Sequence, residues 1–100
     1  MTYVLLTKVS PESAAEPSAL KSLEEEVKER VKAHCSDVKW IANYAVMGPY
    51  DYLDIFEAPD DVVANKVSTI VRSFGHASTE TWGAIPWSDF KTSLGELTSR

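Results

Sequence analysis

One cysteine, two histidines and four glycines are a thin supply of the residue types on which many site chemistries depend. With Cys35 alone, no disulfide can form within the chain, a pattern suited to a reducing cytoplasm. No paired-cysteine motif is present. His34, Cys35 and His76 fall at opposite ends of the expected sheet, so they do not converge into the three or four ligands a metal site needs. The glycines form no phosphate-cradling loop, and there is no nucleophile elbow. Neither a metal nor an organic cofactor is therefore expected. Basic residues are also short: ten Lys and Arg stand against fifteen Asp and Glu, giving a net charge of −5 and a pI near 4.9. Their main group, Lys21, Lys28, Arg30 and Lys32, sits on one helix, interleaved with Glu, so neither nucleic acid nor an anionic membrane is an expected partner. No apolar run approaches the roughly 18–20 residues a bilayer span requires. Residues 1–8 lack the basic head and long apolar stretch of a signal peptide, so a cytoplasmic location is expected.

What is present suits one folded domain spanning residues 1–100, with 44% hydrophobic and 25% charged residues. Three Trp, four Tyr and three Phe bring large apolar surfaces, each able to bury about 150–250 Å². Residues 3–8 read as a strand, and 10–17 as a loop of small residues and two prolines. Ser18 is positioned to cap a helix whose apolar stripe is Leu20, Leu23, Val27 and Val31, running to about residues 34–37. Residues 38–47 form a second strand, Gly48-Pro49 a turn and residues 50–57 a third strand. Pro59 or Asp60 opens a second helix, with Val63, Val67, Ile70, Val71 and Phe74 facing inward and Gly75 stopping it. A fourth strand follows over residues 78–85, then a short helix over 88–97 carrying Phe90 and Leu94.

The order β-α-β-β-α-β plus a terminal helix is the α+β, ferredoxin-like, split βαβ arrangement. It predicts one four-stranded antiparallel sheet with both main helices on one face and the other face bare. Alternation then sorts the strands into two sets. Ile41, Leu53 and Ile55 form an aliphatic set suited to lie beneath the helices. Trp40, Tyr44, Tyr52, Phe56 and Trp82, mixed with Asp54 and Glu80, form a set suited to the bare face. Such an aromatic patch is too broad to leave in water, and a symmetric dimer closing sheet on sheet would bury it. The cleft so formed would take a small apolar or aromatic molecule, lined by Trp40, Tyr44, Tyr52, Phe56, Glu80 and Trp82.

Four segments carry a family resemblance: Tyr3-Val4-Leu5-Leu6-Thr7-Lys8, Gly48-Pro49-Tyr50-Asp51, Glu57-Ala58-Pro59-Asp60-Asp61, and Thr79-Glu80-Thr81 with Ala84. Together they resemble the GYD-domain family, named for a Gly-Tyr-Asp signature that Pro49 interrupts here. The likeness runs to about Phe90, and the Pro- and Ala-rich residues 10–17 depart from it. The resemblance implies a dimeric α+β barrel, in line with the sheet-to-sheet homodimer. It implies no reaction, because the wider superfamily spans cofactor-free oxygenases, isomerases, cyclases, haem-degrading enzymes and effector-binding domains.

Three residues are candidates for proton transfer. Asp54 is an acid in mid-strand between Tyr52 and Phe56, where β-structure disfavours one. It would serve as a desolvated base, as half of an interface pair, or as an exposed group near the cleft mouth. Asp51 and His76 lie at the same end of the expected sheet, where a His–Asp pair suits proton transfer. The structural alternative is that Asp51 satisfies backbone N–H groups and His76 caps the preceding helix. The expectation is a homodimeric small-molecule-binding domain. A small cofactor-free enzyme using Asp54 or the Asp51–His76 pair, and a structural oligomerisation module, are the alternatives.

Overall fold

The structure, a computed structural model, describes residues 1–75 and 77–98, with Ser13 described by its backbone alone. Its elements are β1 (Thr2–Val9), α1 (Pro11–Ala14), α2 (Pro17–His34), β2 (Lys39–Ala45), β3 (Tyr52–Glu57), α3 (Asp61–Ser73), β4 (Ala77–Ala84) and α4 (Trp87–Thr98). The strands form one antiparallel sheet in the order β2-β3-β1-β4. This is the expected ferredoxin-like fold. Two details differ at the front of α2. A one-turn helix, α1, occupies part of the expected loop, and α2 starts at Pro17 rather than after Ser18. Proline pre-sets the backbone angle of a first helical residue and has no N–H to leave unsatisfied, so it takes the position without a side-chain cap.

Local signals set the other boundaries. Asp60 caps α3, its Oδ1 accepting the Val63 N–H at 3.0 Å. Gly75, at φ +76°, supplies the left-handed residue that ends the helix. The first-strand Tyr3 hydroxyl donates to Asp61 Oδ1 at 2.6 Å, fastening β1 to the first turn of α3. That bond, with burial and the nearby carboxylates, pushes the Tyr3 phenol up to about 12.

The core sorts the two sheet faces in the opposite sense to alternation read by residue type. Tyr3, Leu5 and Phe56 are buried together with Val31, Ala64, Val67 and Val71 of the helices. The Tyr3 and Phe56 rings stack at 5.6 Å, and Trp40 tilts onto Phe56 at the same separation. Burying a side chain the size of Phe56, which is wholly inaccessible, contributes about 1.5–3 kcal/mol. Strand register places Asp54 opposite Leu5, and Tyr52 opposite Thr7, on this same helix-facing side. Leu53 and Ile55 point to the open face with Val4 and Leu6. The aromatic surface outweighs the single carboxylate in choosing the face, because the sheet's largest apolar side chains gain most from the helices.

A β-bulge between Trp40 and Ala42 completes the correction. Simple alternation puts Trp40 and Tyr44 on one face. The extra residue instead leaves Trp40 opposite Phe56 on the helix side and Tyr44 opposite Leu53 on the open side. Asn43 becomes the direct partner of Asp54.

Candidate functional site

Helix α2 is held by α1 and α3 and stands off the sheet beneath it. Of its apolar stripe only Val31 is fully buried; Leu20, Leu23 and Val27 are half-buried. The space between this helix and β2–β3 is a cavity of about 340 Å³, within the size range of small-molecule sites. Leu20, Leu23, Val27, Trp40 and Val71 give it apolar walls, and Thr7, Asn43, Tyr52 and Asp54 supply polar groups from the sheet. Glu24 and Lys28 of α2 also line it and pair with each other at 2.8 Å.

Among the described residues, Asp54 is the one acidic side chain that the sheet contributes to this lining. Its Oδ1 accepts the Asn43 amide at 2.7 Å. Burial pushes its carboxyl above the usual carboxylate range, against the opposing pull of the Asn43 bond and Lys28 and with a small reinforcement from Glu24. Burial also raises the Tyr52 phenol, helped by Asp51 and Asp54. Both groups therefore favour their neutral forms more than they would in water, as functional-site groups commonly do.

The structure divides the sequence candidates into three groups. Trp40, Tyr52 and Asp54 come together around the cavity, and Tyr44, whose register faces the open side, borders it from the edge strand β2. Phe56 is core and reaches no surface. Glu80 and Trp82 are on the open face, where Glu80 accepts both the Trp82 indole N–H at 3.1 Å and the Tyr50 hydroxyl. Asp51 is engaged by the backbone: its Oδ2 accepts the Val9 N–H at 2.8 Å, its own N–H donates to Thr7 O and its carbonyl accepts the Val46 N–H. Tyr50 and Asp51 thus tie the β2–β3 connection to β4 and to the end of β1. The Asp51–His76 pairing involves a residue outside the described ones. Asn43 and the α2 residues were not singled out by sequence. The bulge hid the first, and a half-buried stripe reads in sequence like any core stripe.

The open face and α4 carry further apolar side chains outside the core. Val4, Leu6, Leu53 and Ile55 share that face with Trp82, which is 51% exposed. On α4, Trp87, Phe90, Leu94 and Leu97 recur at helical spacing and remain exposed, and no residue of the helix is buried. Cys35 is a buried member of the core. Among the described residues no three His, Cys, Asp or Glu side chains are grouped to hold a metal ion, and no helix is long and apolar enough to cross a membrane.

Two comparisons bear on this arrangement. A protein of Thermus thermophilus, described as a glutamine synthetase and cystathionine beta-lyase binding protein, is 28% identical over 92 residues, covering 88% of this chain and 92% of that protein. The sequence pattern of the GYD domain matches residues 3–94, which include β1 from Tyr3 onward, the other three strands, all of α2 and α3, and the Tyr50-Asp51 lock. The chain belongs to the GYD domain family.

Proposed function

We propose that this protein is a homodimeric binding domain that holds a small, largely apolar molecule between α2 and the sheet. The observation that carries this reading is the cavity itself: apolar walls, a few convergent polar groups and one half-buried carboxylate with a perturbed pKa. The site is within one subunit, beneath a helix, rather than in a cleft between two sheets.

The dimer uses the open face, and its occupant is a second copy. A four-stranded sheet with strands about 4.8 Å apart and some seven residues long presents a patch of roughly 20 by 23 Å. That planar area falls short of the about 800 Å² per partner that stable interfaces bury. The exposed stripe of α4, carried by the same chain, supplies the remainder when each copy lays its helix against the other. A two-fold pairing then covers both unpartnered surfaces in both copies at once.

Native mass spectrometry of the purified protein tests both parts. The expected species is twice the 11.1 kDa chain mass with a small-molecule increment that Leu23→Trp, which fills the cavity, removes. A monomer refutes the dimer. An increment that Leu23→Trp leaves in place refutes the cavity as the site.

The name of the Thermus relative supports a second reading, in which this domain also docks on an enzyme subunit. Co-sedimentation with purified glutamine synthetase or cystathionine beta-lyase from the same organism tests it, and no co-sedimentation with either counts against it. The enzyme alternative, with Asp54 or the Asp51–His76 pair moving protons, draws its support from Asp54, whose raised pKa suits a general base. Turnover that is lost in Asp54→Asn while the ligand still binds would select it.

A further inference from the structure

We propose that the molecule held beneath α2 is an amine cation on an aromatic or branched aliphatic body, with its ammonium group against Asp54. The proposal rests on the reading of this cavity as a small-molecule site and adds the chemistry of the ligand.

The argument starts from what Asp54 has and lacks. An ionised carboxylate offers about four acceptor positions. In this structure one oxygen takes the Asn43 amide, a neutral donor, at 2.7 Å. No cationic side chain forms an ion pair with it among the described residues: Lys28, the nearest source of positive influence, is paired with Glu24. A half-buried charge facing Leu23, Val27 and Trp40 is costly unless an opposite charge meets it. A ligand ammonium supplies that charge and donates to the unused acceptor positions, a charge-assisted bond stronger than a neutral one. Trp40 also lines the cavity, and an indole ring favours a cation. The apolar walls take the rest of the molecule. An anionic ligand would be repelled by Asp54 and drawn only by Lys21 and by Lys28, which Glu24 already engages, and a wholly apolar one would strand the carboxylate.

The charged and titratable groups lining the site are Asp54, Tyr52 and, at its border, Tyr44 from the sheet, and Lys21, Glu24 and Lys28 from α2. Deprotonation of Asp54, whose carboxyl burial raises, creates the charge that the ammonium meets, so amine binding strengthens as pH rises through the Asp54 transition. An anion bound by protonated Asp54 would show the reverse trend.

The test is calorimetric titration with three probes of matched body: 3-phenylpropylamine, 3-phenylpropanol and 3-phenylpropionate. The amine is expected to bind at least about tenfold more tightly than the alcohol, as a charged hydrogen bond allows, and the propionate not at all. Asp54→Asn, checked for folding by circular dichroism, should abolish that preference by weakening the amine far more than the alcohol, while Leu23→Trp should abolish binding of both. Equal binding of amine and alcohol, or tightest binding of the propionate, overturns the amine assignment. If Leu23→Trp still removes binding in those cases, the cavity stands as the site. Binding that Leu23→Trp does not affect, or no binding of any probe, overturns the assignment and the cavity reading together.

Discussion

Asn43 and Asp54 are direct cross-strand partners on the helix-facing side of the sheet, and the Asn43 amide donates to the Asp54 carboxylate at 2.7 Å. The pair exists because the bulge at residues 40–42 turns Asn43 inward. It gives a half-buried acid one neutral partner and leaves the rest of its acceptor capacity to whatever enters the cavity.

That arrangement has a consequence for stability against pH. Burial raises the Asp54 carboxyl above its ordinary value of 3.8 in the folded state, so folding favours the protonated form. The stabilisation from this group is fully present below 3.8 and is lost as pH rises through the raised folded value. Asp54→Asn removes the transition. In ligand-free protein the variant should therefore melt higher than wild type at neutral pH, and the gap should close on acidification toward 3.8. Thermal melts of both proteins across the acid range read this directly. A variant that melts lower at neutral pH would show that the carboxylate is paired rather than poised.

Asp51 should matter for folding and not for ligand affinity. Its carboxylate accepts the N–H of Val9, a residue only 6% exposed. Asp51→Ala strands that donor and should cost about 1–3 kcal/mol in urea denaturation. Asp51→Asn keeps an acceptor oxygen and should lose less. Ligand affinity that collapses in a well-folded Asp51→Asn protein would return this residue to the site.

Two hydroxyls beneath α3 should respond in opposite directions. Ser68 and Thr79 hydrogen-bond at 2.6 Å, so Ser68→Ala leaves Thr79 without its partner and should destabilise by about 1 kcal/mol or more. The Thr81 hydroxyl is buried with no hydrogen-bond partner among the described residues. Thr81→Val replaces it by an apolar group of the same shape and should be neutral or stabilising. Denaturant midpoints of the two variants should lie on opposite sides of wild type, or the second level with it. A clear loss in Thr81→Val would mean that its hydroxyl is satisfied in solution.

The surface opposite the cavity should control assembly without touching binding. Trp82→Glu puts a charge in the open face, and truncation after Pro86 removes the α4 stripe. Each should shift the protein toward monomer in size-exclusion chromatography with light scattering, and amine affinity per subunit should stay within about twofold, as expected for separate sites. A dimer that survives both changes would place the interface elsewhere.

Much of the fold was legible in the chain because its signals are local. Asp60 ahead of the Val67-Ile70-Val71 stripe, Gly75 at its end and Gly48-Pro49 between two β-rich runs are decided by neighbours a few residues away. The strand pairing followed from the order of elements. The facing of the strands did not. Asp54 argued for the open side by residue type, but Tyr3, Trp40 and Phe56 form one aromatic contact set that only the helices can cover. The bulge added a second difficulty, since one inserted residue separates Trp40 from Tyr44 without any Gly or Pro to announce it. The cavity was illegible for a third reason. Leu20, Leu23 and Val27 have the spacing of a packed helix, and how far α2 stands from the sheet is set by tertiary packing. Trp40, Tyr52 and Asp54 thus face the helices rather than the open side, whereas Tyr44, Glu80 and Trp82 stay on the open side.

Chemical-shift mapping separates the two sides in one experiment. With 15N-labelled protein and 3-phenylpropylamine, perturbations should centre on Leu23, Val27, Asn43, Tyr52 and Asp54, with the Asn43 side-chain amide among the largest. Perturbations centred instead on Val4, Leu6, Ile55 and Trp82 would place the ligand on the open face and contradict a site beneath α2.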